Sequence, residues 1–233
     1  MNAGTTVRVA IDGPAGAGKS TVARRVAERL GFVLVDTGAM YRAIALAAKR
    51  AGVAWDDEPD VSELARSLVA SGAVVLERGR AGGVQVLLSG EDVSLAIREP
   101  DMGFGASRIS AIPAVRAALL DAQRAAGARL SVVMEGRDIG TVVLPDAEVK
   151  FFLTASDAVR ARRRYEELVA RGSAVTYEGT LHEVRLRDKA DTERAVAPLR
   201  QAADAILVDS SDRPIDDVVD EMVRIVEERT GRR

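Results

Sequence analysis

The stretch Val7-Arg8-Val9-Ala10-Ile11-Asp12-Gly13-Pro14-Ala15-Gly16-Ala17-Gly18-Lys19-Ser20-Thr21, followed by Val22 to Leu30, decides the fold. Val7 to Asp12 is an apolar run with β-branched residues, which reads as a buried strand. Gly13 to Ser20 fits the pattern Gly, any four, Gly-Lys-Ser, and Val22 to Leu30 repeats with a helical period. Strand, glycine-rich turn and helix is the context in which this motif means a phosphate-binding loop. Gly13, Gly16 and Gly18 let the backbone turn tightly. Its N–H groups then converge on a phosphate at a helix N-terminus, where the dipole favours negative charge. Within the candidate nucleoside triphosphate-binding set Gly13, Pro14, Ala15, Gly16, Ala17, Gly18, Lys19, Ser20 and Thr21, Lys19 would reach the outer phosphates and Ser20 would hold Mg²⁺. Lysine is otherwise scarce: only Lys19, Lys49, Lys150 and Lys189 occur among many arginines, and one of them fills the slot that calls for it.

The totals narrow the class. A chain of 233 residues is enough for one α/β domain with insertions, and 47% hydrophobic residues can bury a sizeable core. A net charge of −2 argues against a protein that coats nucleic acid over its whole surface. With no cysteine there is no disulfide and no thiolate metal site, and the single histidine, His182, gives poor support to a zinc site or a Ser-His triad. No apolar run approaches a membrane span, and Met1 to Thr6 lacks a basic-then-apolar signal, so the expected location is the cytoplasm, with no membrane partner.

Beyond the loop, Phe32 to Val35 reads as a second strand and Ala39 to Arg50 as a helix capped by Asp36 or Thr37. Strand and helix alternating at this spacing predict a parallel sheet, with functional groups at the carboxyl ends of its strands. Thr37 lies at such an end, and Arg42 about one turn on. Asp56 to Asp60 is a polar break. Val61 to Ala70 is helical, and the strands Ala73 to Glu77 and Gln85 to Leu88 flank a glycine-rich turn, which predicts a β-hairpin inserted into the core. Glu91 to Ser94 is expected to open a short helix, and Ser107 sits in a second helical segment running up to Pro113. Pro113 starts a longer helix, with Arg116 on its first turn, ended by Gly127.

The strand Ser131 to Met134 delivers Glu135-Gly136-Arg137-Asp138 to the same edge, and Val149 to Leu153 forms the next strand. Ser156 caps a helix carrying Arg160, Arg162, Arg163 and Arg164. After a flexible polar stretch, Leu181 to Ala195 reads as a helix with Arg187, Asp188, Asp191 and Arg194 near one face. Such an arginine-rich segment suits a lid that folds over a polyphosphate and excludes water. A last strand, Ala205 to Asp209, and an amphipathic helix, Pro214 to Thr230, complete the chain.

These blocks resemble bacterial cytidylate kinase. The likeness is carried by Ile11 to Thr21, by Asp36-Thr37-Gly38-Ala39-Met40-Tyr41-Arg42, by Gly90 to Ser94, by Gly136-Arg137-Asp138-Ile139-Gly140-Thr141-Val142-Val143 and by Arg194-Ala195-Val196-Ala197-Pro198-Leu199. It implies a three-layer α/β P-loop kinase fold with a parallel core sheet, an NMP-binding insertion containing a hairpin and a helical lid. The single domain would have its core at about 1–59, 114–158 and 195–233, the insertion at about 60–113 and the lid at about 159–194. The resemblance implies transfer of the γ-phosphoryl group of ATP to CMP or dCMP, with Mg²⁺, by a monomer. By motif, Thr37, Arg42 and Arg137 hold the acceptor phosphate, Ser107, Arg116 and Asp138 read cytosine, and Asp191 with Arg194 hold the sugar and base side. Arg187, then Arg162, are the lid arginines expected to stabilise the transferring group.

The chemistry of the residues agrees. Phosphoryl transfer needs two phosphates in line and their charge neutralised, which suits many arginines and no histidine. A carboxylate accepts from the amino group of cytosine, where uracil presents a carbonyl. A kinase for UMP, AMP or shikimate is the rival within enzymes. A nucleotide-dependent RNA-binding switch is the rival outside them, disfavoured by negative charge and an arginine run interleaved only by Tyr165 and Tyr177.

Overall fold

The computed structural model describes residues 6–79, 84–128 and 130–232. Its strands are β1 (Arg8–Asp12), β2 (Val33–Asp36), β3 (Val74–Arg78), β4 (Val84–Leu88), β5 (Glu91–Asp92), β6 (Val132–Gly136), β7 (Val149–Thr154) and β8 (Ile206–Asp209). Its α-helices are α1 (Lys19–Leu30), α2 (Thr37–Arg50), α3 (Glu58–Ala70), α4 (Pro100–Ile109), α5 (Pro113–Ala126), α6 (Asp157–Ala170), α7 (Tyr177–Glu193) and α8 (Ile215–Thr230). A 3₁₀ turn covers Ala96–Arg98 and a π turn covers Ile139–Val143. Among the described residues no helix is long and apolar enough to cross a membrane.

The parallel sheet has the order β2-β6-β1-β7-β8, so β1 is central and its Val9, Ala10 and Ile11 are fully buried. Strands buried on both faces read as continuous apolar runs, which is why this one was legible. The register places Asp12 opposite Gly136 on one side and Phe152 on the other. In a parallel sheet, strands that end in register release their next residues at one edge. Gly13 and Arg137 therefore leave the sheet side by side.

Packing divides the chain into two compact units, one up to Val33 and from Leu130 on, the other Leu34 to Arg129. In the first, α1 buries Val22, Ala23 and Val26, and α8 buries Val218, Val219, Met222, Val223 and Val226. These two helices pack together, and Arg25 with Asp216 and Arg29 with Asp220 pair along their exposed seam. In the second, α2 is the axis. Its Met40, Tyr41 and Ile44 meet α3, α4 and α5, while Ala39, Ala43 and Leu46 meet Val86 and Leu88 of the antiparallel sheet β3-β4-β5. The expected hairpin forms, and residues 80–83 of its turn lie outside the described residues.

Three expectations change. Glu91 and Asp92 pair with β4 rather than opening a helix. The Asp92 carboxylate accepts from the Ser94 N–H and hydroxyl, so an acidic–serine pair that resembled a cap closes a local turn instead. The lid helix begins at Tyr177, where Thr176 accepts from the Gly179 N–H, and ends at Glu193. Arg194 consequently has extended backbone and leaves the face it was expected to share with Asp188 and Asp191. Of the two cap candidates before α2, the Asp36 side chain takes the role, accepting from Ala39 N–H at 3.0 Å.

Candidate active site

The loop between β1 and α1 is shaped by close backbone approach. Gly13 has φ +151°, and a Cβ there would sit 1.9 Å from the Leu153 carbonyl oxygen, a position no side chain can occupy. Three of the loop's carbonyls are taken by donors. Lys19 Nζ donates to Pro14 O at 2.7 Å and Arg160 Nη1 to Ala15 O at 3.1 Å. The Ser210 hydroxyl lies 3.2 Å from Ala17 O. Held carbonyls fix the turn of the backbone, the precondition for N–H groups to converge on an anion. Neither Arg160 nor Ser210 was singled out from the sequence. Arg160 is one of four neighbouring arginines, and only its burial against Gly16 distinguishes it.

β6 brings Glu135, Arg137 and Asp138 to the same edge, the first and last of them buried. Arg137 Nε donates to Asp191 Oδ2 of α7 at 2.8 Å, and Arg194 Nη2 lies 3.6 Å from Asp138 Oδ1. Arg194 Nε also donates to Ala197 O at 2.6 Å, and the Leu199 N–H to Asp191 O at 2.8 Å, which ties the end of α7 to the segment after it.

The electrostatics of this cluster are those of an anion site. Burial and the nearby charges of Arg137 and Arg187 push Lys19 down to about 7, against the opposing pull of Glu135 and Asp191. Burial alone would raise Asp191, but Arg137, Arg187 and Arg194 hold it below the usual carboxylate range. Two guanidinium groups are thus close enough to disfavour the charged form of Lys19, and a polyanion bound among them would favour it.

The structure brings together, in this unit, the predicted loop with Lys19, and with it Arg137, Asp138, Arg187, Asp191 and Arg194. Arg162 stands apart: it is exposed, with its guanidinium 4.5 Å above the ring of Tyr177. His182 is exposed on α7. In the other unit, Thr37 is buried in the first turn of α2, Arg42 is half-buried one turn on, and Ser107 is half-buried on α4. Arg116, buried on α5, donates to Ser110 O at 3.2 Å and lies 5.7 Å over the Tyr41 ring.

For a hard cation the donors must be oxygens. Ser20 is exposed beside Lys19 at the start of α1, and Glu135 is the buried carboxylate of β6 whose charge reaches Lys19. Asp36 is committed to its cap and Asp209 to Ser211. Among the described residues no group of three acidic or histidine ligands forms a ready-made metal cage. A hydroxyl and one buried carboxylate beside a phosphate loop fit Mg²⁺, which takes few protein ligands and completes its shell with phosphate oxygens and water.

Comparison with known proteins shows the family of the chain. Residues 9–228 match the family model described as Cytidylate kinase. The chain is 52% identical over 223 residues to a protein of Geobacter sp. (strain M21) named cytidylate kinase, covering 96% of this chain and 94% of the relative. It is 52% identical to one of the same name from Pelotomaculum thermopropionicum, covering 97% of each. A third, from Pseudomonas aeruginosa, is 47% identical over 221 residues and 95% of each chain. Among solved structures, an uncharacterized protein from Eubacterium ventriosum superposes with a TM-score of 0.50 at 13% identity, over 95% of this chain and 99% of that one. At that identity the likeness speaks for the fold alone.

Proposed function

The chain belongs to the cytidylate kinase family, and from that premise we propose how its own residues carry the transfer of the γ-phosphoryl group of ATP to CMP or dCMP, giving ADP and CDP or dCDP. The observation that supports this reading is the gathering of Lys19, Glu135, Arg137, Asp138, Arg187, Asp191 and Arg194 around the phosphate loop.

The loop Gly13 to Thr21 binds the triphosphate through its backbone, and Lys19 neutralises the outer phosphates. Mg²⁺, held by Ser20, supplies further charge neutralisation when bound. Thr37 and Arg42 hold the acceptor phosphate, as does Arg137. Ser107, Arg116 and Asp138 read the cytosine, Asp138 by accepting from its amino group. Asp191 and Arg194 hold the sugar and base side. Arg187 stabilises the charge of the group in flight, with Arg162 available from the lid.

An oxygen of the acceptor phosphate forms the new bond to the γ-phosphorus as the bond to ADP breaks. A phosphate monoester loses its second proton near pH 6, so at neutral pH the nucleophile is already ionised and needs no general base. That accounts for an exposed His182 and a cluster built of cations. ADP formation from ATP and Mg²⁺, measured in parallel with CMP, dCMP, UMP and AMP, tests the reading. Turnover with CMP and dCMP far above the other two is expected, and no CMP-dependent turnover would overturn it.

A further inference from the structure

We infer that Asp12 and Lys150 are positioning residues for base selection, clamping the two ends of the π turn that follows Asp138 and so fixing the aim of the Asp138 carboxylate. The inference rests on the reading of Asp138 as the acceptor for the cytosine amino group.

The π turn Ile139–Val143 starts immediately after Asp138. Turns of this type are rare and leave their first N–H groups without partners inside the turn. Asp12, the last residue of β1, meets that need. One carboxylate oxygen accepts from Ile139 N–H and the other from Gly140 N–H, each at 2.7 Å. At the far end, Lys150 Nζ donates to Pro145 O at 2.5 Å and pairs with Asp204 Oδ2 at 2.8 Å. Gly140 sits between the two. A Cβ there would lie 3.1 Å from Lys150 Cδ and 3.4 Å from Asp12 Oδ2, so the turn is pressed against both side chains.

Asp138 is inside this clamp. Its own carbonyl accepts from Val142 and Val143 N–H at 2.9 and 3.2 Å, so moving the turn moves its backbone. Its carboxylate faces Arg194 at 3.6 Å. A guanidinium on one side draws the carboxylate toward itself, and a fixed backbone on the other limits how far it can follow. Reading an amino group demands a hydrogen bond of good length and angle, so the aim has to be held.

Both clamping residues are also expensive choices for the fold. Asp12 is 4% exposed and Lys150 is 6% exposed. A buried charge costs far more than an apolar side chain at the same place unless its hydrogen bonds are needed. The lysine stands in a strand between Val149 and Phe151, in a chain that holds only four lysines.

Steady-state ADP release with CMP and with UMP tests this in Asp12→Ala, Lys150→Met, Asp138→Ala and the double variant Asp12→Ala/Asp138→Ala. The ratio of kcat/KM for CMP over UMP is the readout, because it is indifferent to the fraction of active protein. The ratio is expected to fall about tenfold in Asp12→Ala and in Lys150→Met, chiefly through KM for CMP. In the double variant it should equal that of Asp138→Ala alone. Equal losses on CMP and UMP in the single variants would overturn the clamp, as would a further fall of the ratio in the double variant. Should Asp12→Ala fail to fold, Lys150→Met decides the question from the other end of the turn. An Asp138→Ala ratio equal to that of the unaltered protein would instead remove the base-reading assignment, and the clamp with it.

Discussion

Arg160 grips Asp188 through two parallel hydrogen bonds, Nη1 to Oδ1 at 2.9 Å and Nη2 to Oδ2 at 2.6 Å, and the same Nη1 reaches Ala15 O in the phosphate loop. One side chain thus joins α6, α7 and the loop. Arg160 is buried, so removing its partner strands a guanidinium where water cannot fully replace the carboxylate. Asp188→Ala is expected to lower the free energy of unfolding by about 3 kcal/mol and to raise KM for ATP severalfold. Urea unfolding and initial-rate kinetics check the two parts, and an unchanged midpoint would remove the structural half of the argument.

Lys19 separates stability from catalysis. It is buried, its amine is pushed down to about 7, and it donates a hydrogen bond to Pro14 O. Lys19→Met keeps most of the volume and removes an ill-solvated charge. The fold should survive with its melting temperature unchanged or raised, while kcat/KM for ATP falls about 10³-fold. A large loss of both would show that the lysine is chiefly structural.

Asp138 is the residue whose change should alter what is phosphorylated. Asp138→Ala is expected to cut kcat/KM for CMP by about 10²-fold, with a much smaller effect on UMP. Parallel assays on the two acceptors measure the difference, and equal losses would exclude a role in telling the bases apart.

Asp12 predicts a dependence on pH. Burial raises its carboxyl to about 6, opposed by the N–H groups of Gly140 and Ile139 and by the charge of Lys19, and assisted by the charge of Asp138. The aliphatic stem of Lys150 closes the other side, against Gly140. With the folded value above the ordinary 3.8, the protonated form is favoured by folding. Its stabilisation is complete below about pH 4 and lost as pH rises through about 6. Relative to Asp12→Asn, which does not titrate, the protein should lose about 2 kcal/mol of stability between pH 4 and pH 7. Unfolding free energies of the pair across that range measure it, and a constant difference would refute it. Because both oxygens accept hydrogen bonds, the grip on the π turn belongs to the ionised form. Stability and selectivity therefore move in opposite directions through pH 6.

The local parts of the fold and site were readable because their cause is local. Gly13 to Ser20 announces itself by spacing, the apolar run before it by its burial on both faces, and Arg137-Asp138 by an awkward pair of charges at a strand end. What could not be read has distant causes. The π turn closes on a carboxylate 127 residues away in the chain. Nothing in Ile139 to Val143 itself requires that shape. Arg160 is chosen from four neighbouring arginines only by the approach of Gly16, and Lys150 by the position of Gly140. Arg194 shows the reverse failure. A spacing of three residues placed it on a helical face, but the helix stops one residue earlier, where the Leu199 N–H takes the Asp191 carbonyl.

The crowding of Lys19 by the charges of Arg137 and Arg187 bears on how tightly anything binds there. Like charges held together by the fold repel, and a polyanion settling among them relieves that repulsion in addition to forming hydrogen bonds. Part of its affinity is therefore energy released from the protein rather than gained at the contact. The relation runs both ways, since whatever binds the folded chain raises its stability by an amount fixed by concentration and affinity. Salt screens the repulsion and the attraction together, so it narrows the gap from both sides. The thermal shift produced by each nucleotide thus ranks the chain's ligands without a single turnover.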